Sequence, residues 1–212
     1  MHRSCTNVGG QNLSSLTIAA GGQFDLSNNH FILTYSSSDP LSTIAGYLKS
    51  GFNNGAWNGS GIISSAAAAN HAYGVGFADG KDGVVAGLSS GQIEVKYTLL
   101  GDANLDGTVN GSDFSILAAN FGKGVTNWDQ GNFLFSSSVN GADFSALAAN
   151  FGQGDSGADA QVTAADWSAL NAFAAANGLS AAVPEPASAG LLLFSTLAAL
   201  KRQRRITATE KH

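Results

Sequence analysis

The sequence predicts an α+β protein in three parts. Residues 1–99 form a mainly-β region, a β-sandwich or the end of a β-solenoid with short helices; 100–180 form a small all-α pair; and 181–212 form a tail with one apolar helix. Three observations carry this. The hydrophobic period is near two up to Leu99 and near 3.6 beyond it. A segment recurs after 30 residues: VNGSDFSILAANFGKG (109–124) and VNGADFSALAANFGQG (139–154) agree at 13 of 16 positions. Finally, Pro184-Glu185-Pro186 precedes an uncharged run, 187–200, that KRQRR closes.

Composition narrows the class. A chain of 212 residues allows one or two small domains plus tails. With 27 glycines, 12% charged residues and 44% apolar residues, it is loop-rich but not disordered. The net charge of −5 hides an asymmetry, because five of the ten bases lie after position 200. Residues 1–199 hold 14 of the 15 acids against five bases. Nucleic acid is therefore excluded as a partner for the folded part, since phosphate binding needs a basic face. A cation suits it better. One cysteine, Cys5, allows no intramolecular disulfide, and the four histidines are too scattered for a zinc site.

The elements follow in order. SLTIAA (15–20) and QFDLS (23–27) read as short strands around Gly21-Gly22, and HFILTY (30–35) as a further strand after the Asn28-Asn29 turn. Asp39-Pro40 opens a helix as N-cap and first residue. Leu41, Ile44, Ala45 and Leu48 keep its period, and Gly51 stops it. IISSAAAAN (62–70) reads as a second short helix. QIEVKYTL (92–99) alternates cleanly, with Ile93, Val95, Tyr97 and Leu99 on the buried face. In the repeat, Phe114, Leu117, Ala118 and Phe121 share one helix face, and Phe144, Leu147, Ala148 and Phe151 share another. The two stripes are expected to bury each other, with Trp128 covering one end. A weaker third copy, VTAADWSALNAF (162–173), follows. The run 187–200 would reach about 21 Å as a helix, short of a ~30 Å hydrocarbon core, but its basic flank suits a positive-inside stop.

The loop opening the first copy carries the chemistry. Counting Asp102 as position 1, Asn104 is 3, Asp106 is 5, Gly107 is 6, Thr108 is 7, Asn110 is 9 and Asp113 is 12. This is the D-x-[DN]-x-[DN]-G calcium pattern, with Asp in place of Glu at 12. Calcium takes six to eight oxygens, odd positions of a curling loop point inward, and Gly107 permits the sharp turn. Val109, at position 8, is the residue expected to pair with a partner loop. The alternative is a metal-free run of Asx turns. The second copy keeps Asn132 at position 1 and Asp143 at 12, but Leu134, Ser136 and Ser137 stand at 3, 5 and 6, a poor ligand set. The third has Asp155, Asp159 and Asp166 at 1, 5 and 12, with Gly157 and Ala160 at 3 and 6; a cap by Thr163 is the plainer account of its end. One calcium site is expected.

GDANLDGTVNGSDF with its helix, repeated after 30 residues, resembles type I dockerin repeats, which are F-hand half EF-hands. The resemblance covers roughly residues 101–154. It implies a small calcium-dependent domain that docks onto a cohesin-like protein partner, in assemblies that degrade polysaccharide. Many such repeats recognise cohesin through hydroxyl residues at positions 10 and 11, which here are Gly111-Ser112 and Gly141-Ala142. VPEPASAGLLLFSTLAAL followed by KRQRR resembles a PEP-CTERM sorting signal. It implies export, insertion of the apolar run into the inner membrane, and processing near Pro184-Glu185-Pro186 by an exosortase-type protease, with the product at the cell surface, in the outer membrane or outside the cell. The start MHRSCTNVGGQ lacks the apolar run and cleavage site of a signal peptide, so the chain is expected to be a piece of a longer exported protein or a mis-started frame. Residues 10–36 resemble the last rungs of repetitive β-solenoid surface proteins.

The expected function is therefore a non-catalytic surface protein. A polysaccharide hydrolase fragment is the alternative, with Asp25, Asp39, Asp79, Asp82 and Glu94 as the only carboxylates of the β region and no nucleophile elbow or HExxH motif. A glycan-binding β module, stacking sugars on Trp57, Tyr35 and Tyr47, is a third reading, against which stands ordinary core packing.

Overall fold

The computed structural model describes residues 3–4, 10–155 and 160–184. Cys5, Asp159, Glu185, Pro186, the apolar run and the basic cluster lie outside them, and Pro184 is exposed at their end. The chain is α+β, as its two hydrophobic periods predict. Seven strands, β1 (Arg3–Ser4), β2 (Gln11–Leu13), β3 (Gln23–Asp25), β4 (His30–Thr34), β5 (Gly61–Ile63), β6 (Tyr73–Asp79) and β7 (Gln92–Leu99), make two sheets, ordered β1-β3-β5 and β2-β4-β7-β6. The first five strands alternate between the sheets, and their pairings β1–β3, β3–β5 and β2–β4 are all parallel. β7 then pairs antiparallel with both β4 and β6.

Several local expectations change. Residues 15–20 form no strand, and the edge strand β2 lies just before them. Helix α1 (Leu41–Phe52) runs through Gly51 and ends at Asn53 in the left-handed region; Asp39 Oδ1 accepts the Leu41 N–H at 2.8 Å. Gly51 serves space instead: a Cβ there would fall 1.7 Å from the Ile62 carbonyl oxygen. IISSAAAAN divides into β5 and the short α2 (Ser65–Ala69), with Ser64 Oγ capping the Ala67 N–H at 2.9 Å. β6, YGVGFAD, carries no clean alternation because it is buried from Gly74 to Asp79.

Three helices follow: α3 (Gly111–Asn120), α4 (Gly141–Asn150) and α5 (Ala164–Ala176). Each opens on a capping box, Asn110/Asp113, Asn140/Asp143 and Thr163/Asp166. The repeat folds with pseudo-two-fold logic. Gly101, before the first loop, crosses α4 at Leu147, and Gly131, before the second, crosses α3 at Leu117. A Cβ on either would sit 2.7 or 2.8 Å from the facing Cα. Val109 pairs not with the other loop but with the segment after α4, donating to the Gln153 carbonyl (2.9 Å) and accepting from Gly152 (2.8 Å). Val139 does the same after α3, with Lys123 (3.1 Å) and Gly122 (2.8 Å). α5 lids the pair: the Phe173 ring lies 5.4, 5.0 and 5.5 Å from those of Phe114, Phe121 and Phe144.

The β and helical regions share one hydrophobic core. Trp128, fully buried, packs on β6, where a Cβ on Gly76 would fall 2.7 Å from its Nε1. Phe135 stacks on Phe77 at 6.3 Å. Asn150 Nδ2 donates to the carbonyls of Ala72 (2.9 Å) and Leu100 (2.8 Å), tying α4 to the sheet. Trp128 therefore covers the junction between the regions, not an end of the helix pair. Among the described residues no helix is long and apolar enough to cross a membrane.

Candidate metal centre

The loop after β7 gathers all six predicted positions, 102 to 113, on one turn of chain. Asp102 is fully buried. Its Oδ1 accepts the Asp106 N–H (3.1 Å), and its Oδ2 accepts the Gly107 N–H (3.0 Å) and the Thr98 hydroxyl. Asn104 Oδ1 also accepts the Asp106 N–H, at 3.0 Å. Asp106, exposed at the mouth, accepts the N–H and hydroxyl of Thr108 at 2.8 and 2.6 Å. Asn110 Oδ1 caps the Ser112 N–H at 2.8 Å. These are Asx-type bonds from odd positions, so each side chain folds back towards the loop. Leu105 and Gly107 take φ of +56° and +88°, the two left-handed turns that close the curl.

Asp113 ends the loop from the first turn of α3. Its Oδ1 accepts the N–H groups of Ala103 (2.8 Å) and Asn104 (3.2 Å), and its Oδ2 that of Asn110 (3.0 Å). Burial pushes the Asp113 carboxyl up to about 7, and the charges of Asp102 and Asp106 push the same way. Burial likewise raises Asp102 to about 6, with Asp106 adding and the Thr98 hydroxyl, the Gly107 amide and the Lys96 charge opposing. Lys96 Nζ donates to the Leu105 carbonyl at 2.7 Å. The charge of Asp106 thus adds to the burial of Asp102, and the charges of Asp102 and Asp106 to the burial of Asp113, an excess a hard cation would offset.

Among the described residues no three Asp, Glu, His or Cys side chains stand together in ligating geometry; Asp113 is turned to backbone amides. The donor set nonetheless fits calcium: oxygen atoms alone, three of the side chains being carboxylates, two of them buried and raised, on a loop with the turns the ion's cage needs.

The second loop keeps the shape by other means. Asp143 Oδ1 accepts from Phe133 (2.9 Å) and Leu134 (3.1 Å), and Oδ2 from Asn140 (3.0 Å), a copy of the Asp113 pattern. At position 1, however, Asn132 accepts the Ser136 N–H (2.9 Å) with Oδ1 and donates with Nδ2 to the carbonyls of Val125 and Ser136, both at 3.0 Å. An amide hydrogen thus stands where the first loop has a carboxylate oxygen. Phe135 repeats the left-handed turn of Leu105 at φ +53°, but Ser137 does not repeat that of Gly107. Leu134, in the place of Asn104, lines a cleft of about 330 Å³ with Phe52, Trp57, His71 and Tyr73.

Of the third set, Asp159 lies outside the described residues, and Asp155 and Asp166 are engaged elsewhere. Asp166 Oδ2 is spent on Thr163, accepting its N–H and hydroxyl at 2.8 Å each. Asp155 instead reaches the first loop: its N–H donates to the Gly107 carbonyl at 2.8 Å, and a Cβ on Gly107 would fall 2.7 Å from its Oδ2. Nothing in the local pattern marks this, because Asp155 arrives through the pairing of Thr108 with Gly154.

Asp25, Asp79, Trp57 and Tyr47 have structural partners. Asp25 Oδ1 accepts the N–H groups of Ser27 (2.8 Å) and Ser65 (3.0 Å). Asp79 accepts the Tyr35 hydroxyl, at 2.9 Å to Oδ2, and pairs with Lys81 at 3.1 Å. Burial raises Glu94. Trp57 is 3% exposed and packs edge-on against Phe52 at 5.3 Å, and the Tyr47 hydroxyl accepts the Ile18 N–H at 3.2 Å. No family model, no curated protein and no solved structure matches the chain.

Proposed function

We propose that this chain is a non-catalytic exported protein of the cell surface, whose dockerin-like module binds one calcium ion through residues 102–113 and mediates protein contact or surface assembly. The observation that carries this reading is the contrast between the two loops. In the first, burial raises the proton affinity of Asp102 and Asp113, and the charge of Asp106 adds to both. In the second, Asn132 supplies hydrogen bonds where charge is absent. Asp102, Asn104, Asp106, Thr108, Asn110 and Asp113 would hold the ion, which would supply charge neutralisation and a staple for a helix pair without disulfides. The parallel wiring of β1 to β5 supports reading the first strands as rungs of a solenoid, the form of an extended surface stalk. The tail supports export and sorting by an exosortase-type protease, with membrane insertion of the apolar run beforehand; a cohesin-like protein is the partner class the module suggests.

Calorimetric titration of calcium into the full chain, alongside Asp106→Ala, tests the reading. Asp106 is exposed, so its loss should leave the fold intact. A gain in stability of about 2.7 kcal/mol is expected at a hundredfold excess over Kd. Equal binding by parent and variant refutes the loop as the site.

A further inference from the structure

Asp155 brings a fourth carboxylate to the first loop from outside it. Its backbone is pinned on both sides: the N–H donates to the Gly107 carbonyl at 2.8 Å, and the carbonyl accepts the Tyr73 hydroxyl at 3.1 Å. Tyr73 is itself held, stacked on Tyr97 at 4.7 Å with the rings 2° from parallel. The Asp155 side chain is thereby laid against Gly107, where a Cβ would fall 2.7 Å from Oδ2 and 3.3 Å from Oδ1. The Gly107 N–H in turn donates to Asp102 Oδ2 at 3.0 Å. Through that one residue the carboxylates of Asp155 and Asp102 come within about 9 Å of each other.

The backbone bonds account for the clasp but not for the charge. The Asp155 side chain is exposed and makes no hydrogen bond or ion pair among the described residues. Without a counter-ion it adds repulsion to a loop that already holds Asp102, Asp106 and Asp113. The second loop supplies the contrast. Thirty residues earlier the same place holds Val125, which follows Gly124 as Asp155 follows Gly154. Gly124 lies by the counterpart of Gly107, since a Cβ on it would fall 3.8 Å from the Ser137 carbonyl oxygen. A carboxylate thus stands beside the loop that keeps its ligands, and an apolar side chain beside the loop that has lost them.

We infer that Asp155 is a positioning residue of the calcium site: it braces the Gly107 turn through its backbone and, from outside the ligand shell, adds the negative charge that tightens the ion's binding. This rests on the reading of residues 102–113 as the site. The first position of the third copy then serves the first loop. A unit negative charge about 9 Å from a doubly charged ion changes its affinity about fivefold across water at low salt. Salt of about 1 M, with a Debye length of about 3 Å, removes most of that.

The test compares the full chain with Asp155→Asn, which keeps the backbone bonds and the size of the side chain. Calcium titration should show a Kd about fivefold weaker for the variant at low salt and less than twofold weaker in 1 M potassium chloride. In chelator the Tm of the variant should equal or exceed that of the parent, because a repulsion is relieved. A merely structural role predicts the opposite, a lower Tm in chelator and a calcium loss that salt leaves unchanged. Either of those results overturns the inference, as does a variant with the parent's Kd at low salt. Failure of the loop itself reads differently: the parent would then bind no calcium, or Asp106→Ala would bind it as the parent does.

Discussion

Trp128 is the strut on which the shared core depends, and removing it in two steps separates its two roles. Its ring is fully buried against β6, and its Nε1 donates to the Asp102 carbonyl at 2.7 Å. Trp128→Phe keeps most of the apolar contact but leaves that buried carbonyl without its donor, at a cost of about 1–3 kcal/mol. Trp128→Ala also opens a cavity between Phe133 and Phe135, whose rings lie 5.1 and 6.3 Å away. That adds about 3–5 kcal/mol. Urea denaturation followed by circular dichroism, in excess chelator, gives both numbers. The parent should unfold in one transition, as a single core requires. A parent that melts in two steps, or a Trp128→Phe variant within about 0.5 kcal/mol of it, would refute the strut.

Three further outcomes are expected. In chelator the folded chain binds protons more tightly than the unfolded one, because Asp102 is raised to about 6 and Asp113 and Asp129 to about 7. Stability should therefore fall as pH rises from about 4 to about 7 and level off above, with calcium reversing the trend; a Tm that rises with pH in chelator contradicts this. Asn132→Asp removes the donor to the Val125 and Ser136 carbonyls and buries a new charge, so thermal unfolding should report a loss of about 2–4 kcal/mol without new calcium binding. Gly131→Ala should cost more than Gly122→Ala. Both sit at positive φ (+92° and +78°), worth about 1–2 kcal/mol, but only the first drives a Cβ to 2.8 Å from the Leu117 Cα, worth about 1–3 kcal/mol more; equal losses would show that the loop does not cross α3 so closely.

Much of this was legible in the chain because it depends on neighbours two to five residues apart. The cap at Thr163, the Asx bonds of Asp102, Asn104 and Asp106, and the alternation of β7 up to Lys96, beyond which Thr98 is buried and Tyr97 only half-buried, all arise locally. The same locality misled where packing overruled it. Gly51 looks like a helix stop by propensity, yet the helix continues past it because β5 needs the space. β6 hides its period because both its faces are covered and Gly76 makes room for Trp128.

The spacing of oxygen-bearing residues around Gly107, the loss of that spacing in the second copy and the amphipathic stripes were determined by the sequence, since each is a property of a short stretch of chain. Only the tertiary structure decided that Val109 pairs beyond α4, that Asp155 comes to the first loop, and that Asp129 is buried behind Trp128. Those contacts join residues tens of positions apart through the one core that both regions share. No period or motif in either segment encodes them, because the free energy that selects them belongs to the assembled interface.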